Sequence, residues 1–264
     1  MKFDREKLSD TPADSIKLAQ EIILQARFSS ARTPLYEIAY GLGIYDIQEK
    51  PLKGIEGSLI VPPGKFEGAI LINSAQDKRR KRFTIAHELG HFVHPLHHPE
   101  NNESFECKSS HMQNLQSNPE KENQANIFAA ELLLPTAKIK AFVTANENPS
   151  LEDIFMFSES HDVSMAATIR SISKHLQKQT IFMFHENNLM RYFDSTPQFS
   201  FPKFKKHLSL SENCFAFHLK QSPNSFSKTY EVAAKVWIKH PSASTITEQT
   251  FTQENGHGIT MLNL

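Results

Sequence analysis

The sequence predicts an α+β fold: helices packed on a small sheet, then a helix-turn-helix-like segment, then a smaller strand-rich C-terminal domain. Three observations predict it. Apolar residues recur at helical spacing over 15–28 and 120–143. Two short β-favouring runs, 57–64 and 68–74, lie between those helices. From about Thr180 the composition turns aromatic, and ten of the 20 phenylalanines fall in the last 84 residues.

Taken in order, "SIKLAQEIILQARF" (15–28) carries Ile16, Leu18, Ala19, Ile22, Ile23 and Ala26 near the 3.6 period of an amphipathic helix. "TPLYEIAYGLGI" (33–44) predicts a second helix, with Thr33 as N-cap, Pro34 at its first position and Gly43 at its stop. "GSLIVPPG" (57–64) and "GAILINS" (68–74) predict neighbouring strands joined by Pro-Gly turn chemistry. The basic run "KRRKR" (78–82) reads as a solvated approach to the helix "FTIAHELGHFVH", which Pro95 ends. Residues 95–119 have no periodicity and read as a long link. A helix resumes over 120–143 until Pro135 interrupts it, and 150–177 reads as helix, turn, helix with Ser164 capping the second. "IFMFH", "CFAFHL", "VAAKVWI" and "GITMLNL" supply the strand-like runs of the tail. The expected domains are 10–145, 146–178 and 179–264.

The chain has 264 residues, enough to bury a core without disulfide or metal staples. Lys and Arg total 29, as do Asp and Glu, so no net charge marks the whole protein as a nucleic-acid or membrane-surface binder. Cys107 and Cys214 each lack a close CxxC partner and read as free thiols of a reducing compartment. The opening residues contain no apolar signal segment and the chain has no run of 18 apolar residues, so a cytoplasmic protein is expected.

Five of the 13 histidines lie between Phe83 and Glu100. His87, Glu88 and His91 form H-E-x-x-H. Residues four apart share a helix face, so both imidazoles can reach one cation. Glu88, turned roughly 100° from His87, can reach an activated water without being a ligand. A catalytic zinc needs a third protein ligand, and two candidates compete. His97 extends the pattern to metzincin-like spacing, but His94 stands where that pattern needs a turn-forming glycine. Glu122 opens the next helix, with Asn126 one turn on, positioned to accept a hydrogen bond from a ligating histidine. Two facing helices account for more residues than a bent tail, which favours Glu122. His94, His97, His98 and His111 then read as helix end and solvated loop. Cys107 and His111, four apart, form a further pair able to reach a metal in an inhibited state.

"ILINS" (70–74), "KRRKRFTIAHELGH" (78–91), His94 and "ENQANIFAAELLLP" (122–135) together resemble the ImmA/IrrE family of metallopeptidases. The resemblance covers roughly residues 10–178. It implies a zincin-like peptidase domain followed by a helix-turn-helix-like segment, with zinc on His87, His91 and Glu122 and with Glu88 as catalytic base. It further implies cleavage of a Cro/cI-type helix-turn-helix repressor, derepressing stress-response or mobile-element genes. The tail from 180 resembles the family only loosely. Manganese or iron in place of zinc fits the same ligand set.

The expected chemistry is metal-assisted peptide hydrolysis, with substrate paired along an edge of the 68–74 strand. The alternative is a DNA-binding or partner-binding transcriptional regulator with a non-catalytic metal site. Against DNA binding, the second helix of 150–177 offers only Arg170 and Lys174, with His175 and Lys178 near its end. Against a closed structural site, Glu88 is expected to be open to water. No membrane partner is expected.

Overall fold

The computed structural model describes residues 1–62, 66–97, 105–108, 118–199, 209–219, 224–238 and 243–264. Backbone contacts divide the chain into two units, Met1–Pro135 with Ser160–Val163 and Thr136–Glu159 with Ser164–Leu264. This division is coarser than the three domains expected.

The first unit contains α1 (Arg5–Asp10), α2 (Ser15–Ala26), α3 (Leu35–Leu42), β1 (Ile44–Lys50), β2 (Ile55–Ile60), β3 (Gly68–Asn73), α4 (Lys78–Val93), a single 3₁₀ turn (Pro95–His97), β4 (Phe105–Lys108) and α5 (Pro119–Leu133). The strands form one sheet in the order β1-β3-β2-β4. β1 runs parallel to β3, whereas β2 is antiparallel to both β3 and β4. The expected neighbours 57–64 and 68–74 are therefore paired as β2 and β3. The substrate expected along β3 has no edge to join, because β1 and β2 take both sides of that strand.

Leu18, Ala19 and Ile22 of α2, Ile38 and Ala39 of α3, Ile70 and Ile72 of β3, and Ile85 and Leu89 of α4 form the buried interior with Phe128, Ala129 and Leu132 of α5. Gly90 sets the spacing of α4 and α5. A Cβ there would lie 3.0 Å from Phe128 Cδ1 and 3.2 Å from Ala125 Cα, so glycine lets the helices come this close.

Four expectations change. Thr33 is not a helix cap: its hydroxyl donates to the Leu132 carbonyl at 2.9 Å, and Pro34 takes the N-cap position of α3. α4 begins at Lys78, because Asp77 caps it by accepting from the Arg79 and Arg80 amides. The basic run therefore lies inside the helix, and it is ion-paired rather than merely solvated. Lys81 meets Glu49 at 2.7 Å, Arg80 meets Glu56, and Arg32, Lys78 and Arg82 gather on Asp162 at 3.0, 3.2 and 3.6 Å. Finally, the link expected over 95–119 includes the 3₁₀ turn and β4.

The second unit contains α6 (Thr136–Ala145), α7 (Leu151–His161), whose last two residues group with the first unit, α8 (Met165–Ile172), β5 (Thr180–Glu186), β6 (Leu189–Ser195), α9 (Phe215–His218), β7 (Ser225–Phe226), β8 (Tyr230–Ala233), β9 (Thr245–Thr252) and β10 (His257–Asn263). Ser164 caps α8 as expected, accepting from the Ala167 amide. The antiparallel sheet has the order β6-β5-β10-β9-β7, with β8 also on β9. Ile181, Met183, Ile246 and Leu262 of the sheet share a core with Cys214, Val232 and Trp237. Phe155 of α7 meets Phe226 and Phe251 at ring-centroid distances of 5.5 and 5.4 Å.

The run "CFAFHL" is helical, not extended: Ala216 donates its amide to the buried Glu248 carboxylate at 2.7 Å. "VAAKVWI" leaves the strand after Ala233 for a 3₁₀ turn, and Trp237 Nε1 donates to the same carboxylate at 2.8 Å. Cys214 is a free, buried thiol. No helix among the described residues is long and apolar enough to cross a membrane.

Candidate metal centre

His87 and His91 stand one turn apart on α4, with Nε2 atoms 3.1 Å from each other. Glu122, in the first turn of α5, brings Oε2 to 3.3 Å from His87 Nε2 and Oε1 to 3.5 Å from His91 Nε2. The three ligand atoms lie within 4.8 Å of one another. Two donors on a tetrahedral zinc at ~2.05 Å would stand roughly 3.3 Å apart. The separations and the N, N, O donor set therefore fit a cation held by these residues.

The surroundings set each donor's state. Asn126 Oδ1 lies 3.0 Å from His87 Nδ1; the carbonyl oxygen accepts, so the proton sits on Nδ1 and the Nε2 lone pair faces Glu122. Burial, then the positive character of His87, His97 and Lys121, pushes the His91 pKa down to about 2, which leaves a neutral imidazole. At His87 burial works the other way from its partners, and the Glu122 hydrogen bond with the Glu88 charge raises its pKa. A metal requires the neutral ring, so loading this site displaces any His87 proton.

Glu88 has 0% of its surface exposed, which corrects the expectation of a water-accessible carboxylate. The cause is β2. A Cβ on Gly57 would lie 2.8 Å from Glu88 Oε1 and would run into Thr84 Cγ2, so the strand passes over the carboxylate at a distance that only glycine permits. An isolated glycine within a strand pattern signals such an approach, and Gly57 carried that signal.

His94 and His97 are also buried, at 1% and 0% exposure, so neither belongs to a solvated loop. Their rings stack at 4.1 Å, and His97 lies 4.9 Å from the His91 ring. Gln124 Oε1 stands 2.8 Å from His97 Nε2, a partnership that no local pattern announces. His97 packs against His91, but the ligand atoms that converge are those of His87, His91 and Glu122. His98 and His111, and with His111 the pairing to Cys107, lie outside the described residues.

The family model for peptidase M78, described as the IrrE N-terminal-like domain, matches residues 42–173. That is 132 of the 264 residues, half of the chain. Among solved structures, a Mycobacterium tuberculosis transcriptional regulator aligns over 98% of this chain and 79% of its own, with a TM-score of 0.56 and 13% identity. That likeness is one of fold. No curated protein matches this chain.

Proposed function

The chain belongs to the peptidase M78 family of IrrE N-terminal-like domains, and from that premise we propose that it is a zinc-dependent endopeptidase that cleaves a helix-turn-helix transcriptional repressor. The observation that carries the metal-dependent role is the convergence of His87, His91 and Glu122, at 3.1–3.5 Å between donors. The regulatory role rests on the resemblance of the catalytic helices to ImmA/IrrE proteins. The transcriptional regulator that shares the fold is compatible with it.

A divalent cation bound there would polarise the scissile carbonyl and lower the pKa of water from ~15.7 toward ~7. His87 and His91 would hold it through neutral Nε2 atoms, with Asn126 fixing the His87 tautomer. Glu88, buried beneath Gly57, receives the attacking water's proton and passes it to the departing amine. Glu122, with 32% of its side chain exposed, faces the side from which substrate enters. An extended substrate segment adds to an outer strand of the sheet, and β4, hydrogen-bonded to the strand that covers Glu88, is the outer strand on that side.

The test is cleavage of a Cro/cI-type helix-turn-helix repressor, with products read by mass spectrometry. Zinc-loaded wild type should give two discrete fragments, and Glu88→Gln should keep the metal but give none. Full cleavage by Glu88→Gln would overturn the mechanism. Salt-dependent DNA binding without cleavage would instead support a regulator with a non-catalytic metal.

A further inference from the structure

The H-x-x-H-x-x-H tail that looks like a ligand extension is folded behind the site. His97 ends the 3₁₀ turn Pro95–His97, and its ring is clamped on two sides. His94 stacks on it at 4.1 Å with 23° between planes, and Gln124 Oε1 accepts from Nε2 at 2.8 Å. That hydrogen bond places the proton on Nε2 and leaves a lone pair on Nδ1. His97 Nδ1 is buried and, among the described residues, has no hydrogen-bond partner. Leaving a buried acceptor without a donor is unfavourable, so a donor is expected in the working state.

The ring nearest to it on the metal side is His91, at 4.9 Å between centroids with a 44° tilt. Two imidazoles sharing an N–H···N bond of about 3 Å stand about 5 Å apart at their centroids. His91 turns Nε2 toward His87 and Glu122, which leaves Nδ1 as the nitrogen able to donate elsewhere. A histidine that holds a metal donates its other N–H to an acceptor that fixes its ring.

We propose that His97 is a positioning residue for His91: in the metal-loaded protein its Nδ1 accepts the Nδ1–H of His91, and Gln124 holds the far side of the His97 ring. The chain Gln124–His97–His91 then serves the second histidine as Asn126 serves the first. α5 thereby supplies one ligand, Glu122, and the outer support of both others. This rests on the reading of His87, His91 and Glu122 as a metal site.

The test is zinc affinity of the full chain by competition with a chromophoric chelator, alongside thermal melts of the zinc-free proteins. His97→Phe keeps a ring to stack on His94 but has no lone pair; His97→Asn gives up the stack but keeps an acceptor where Nδ1 stands. Affinity should fall about 10–100-fold in His97→Phe and recover most of that loss in His97→Asn. A His97→Phe protein that binds as wild type overturns the proposal in favour of packing alone. Equal loss in both variants overturns it in favour of His97 as a direct ligand. If His97→Phe does not fold, Gln124→Leu decides: a several-fold loss supports the relay and unchanged affinity overturns it. Wild type that fails to bind zinc would instead remove the metal-site reading itself.

Discussion

Gly57 of β2 and Glu88 of α4 are in direct contact: a single Cβ on the glycine would stand 2.8 Å from the carboxylate oxygen. The strand is thus the lid of the proposed catalytic base. Its proximity converts a backbone choice in the sheet into a property of the site.

Gly57→Ala must therefore push both Glu88 and Thr84 aside, since the added carbon also meets Thr84 Cγ2. Overpacking of this kind costs about 1–3 kcal/mol. We expect a lower melting temperature and loss of most hydrolysis, with zinc affinity within a few-fold of wild type because no ligand is touched. Unchanged hydrolysis would show that Glu88 can act from a displaced position.

Asp162 ties α4 to its surroundings within the first unit through Arg32, Lys78 and Arg82. Burial alone would raise its pKa, but the Lys78 hydrogen bond and the charges of Arg82, Lys78 and Arg32 outweigh it and hold the carboxyl below its ordinary value. A depressed carboxylate stabilises the fold above the unfolded pKa near ~3.9, and that contribution fades as pH falls through the lower folded value. Asp162→Asn suits the left-handed backbone there, φ 54°, yet leaves the buried Arg82 without its carboxylate. It should cost about 2 kcal/mol at neutral pH. Melts at pH 7 and below pH 4 should show the gap to wild type closing in acid.

His185 in the second unit is a different kind of titrating group. Burial, then the charge on His257, pushes its pKa down to about 4, and its Nε2 lies 3.0 Å from the Thr260 hydroxyl. Between about 6.5 and about 4 the unfolded chain binds a proton that the folded chain refuses. Stability should accordingly decline as pH drops through that window, by up to roughly 3 kcal/mol, and be indifferent to this group above it. Denaturant titrations at pH 7, 5.5 and 4.5 should show the slope in wild type and a flatter one in His185→Gln.

Much of the site was legible because its information is local. His87 and His91, and likewise Glu122 and Asn126, are pairs four apart within single helices, where periodicity alone assigns a face. The features that escaped depend on distant chain. β1 buries only Ile44 fully and is otherwise largely exposed, so no alternation marks it. In "CFAFHL" the spacing of Phe215 and Phe217 imitates a strand, but Glu248, thirty-odd residues on, accepts the Ala216 amide of a short helix. His94 and His97 look like surface residues until they stack on each other and Gln124 and the His91 ring meet His97. Glu88 looks exposed until β2 crosses it.

The central claim is that two helices jointly hold one metal, with Glu122 as the third ligand. Zinc titration of wild type and Glu122→Ala by chelator competition tests it most directly. Wild type should bind one equivalent, and the variant should lose at least about a hundredfold in affinity, since even supporting residues cost about 10–100-fold. A Glu122→Ala protein that binds one equivalent as tightly as wild type would contradict the claim and return the third position to another residue.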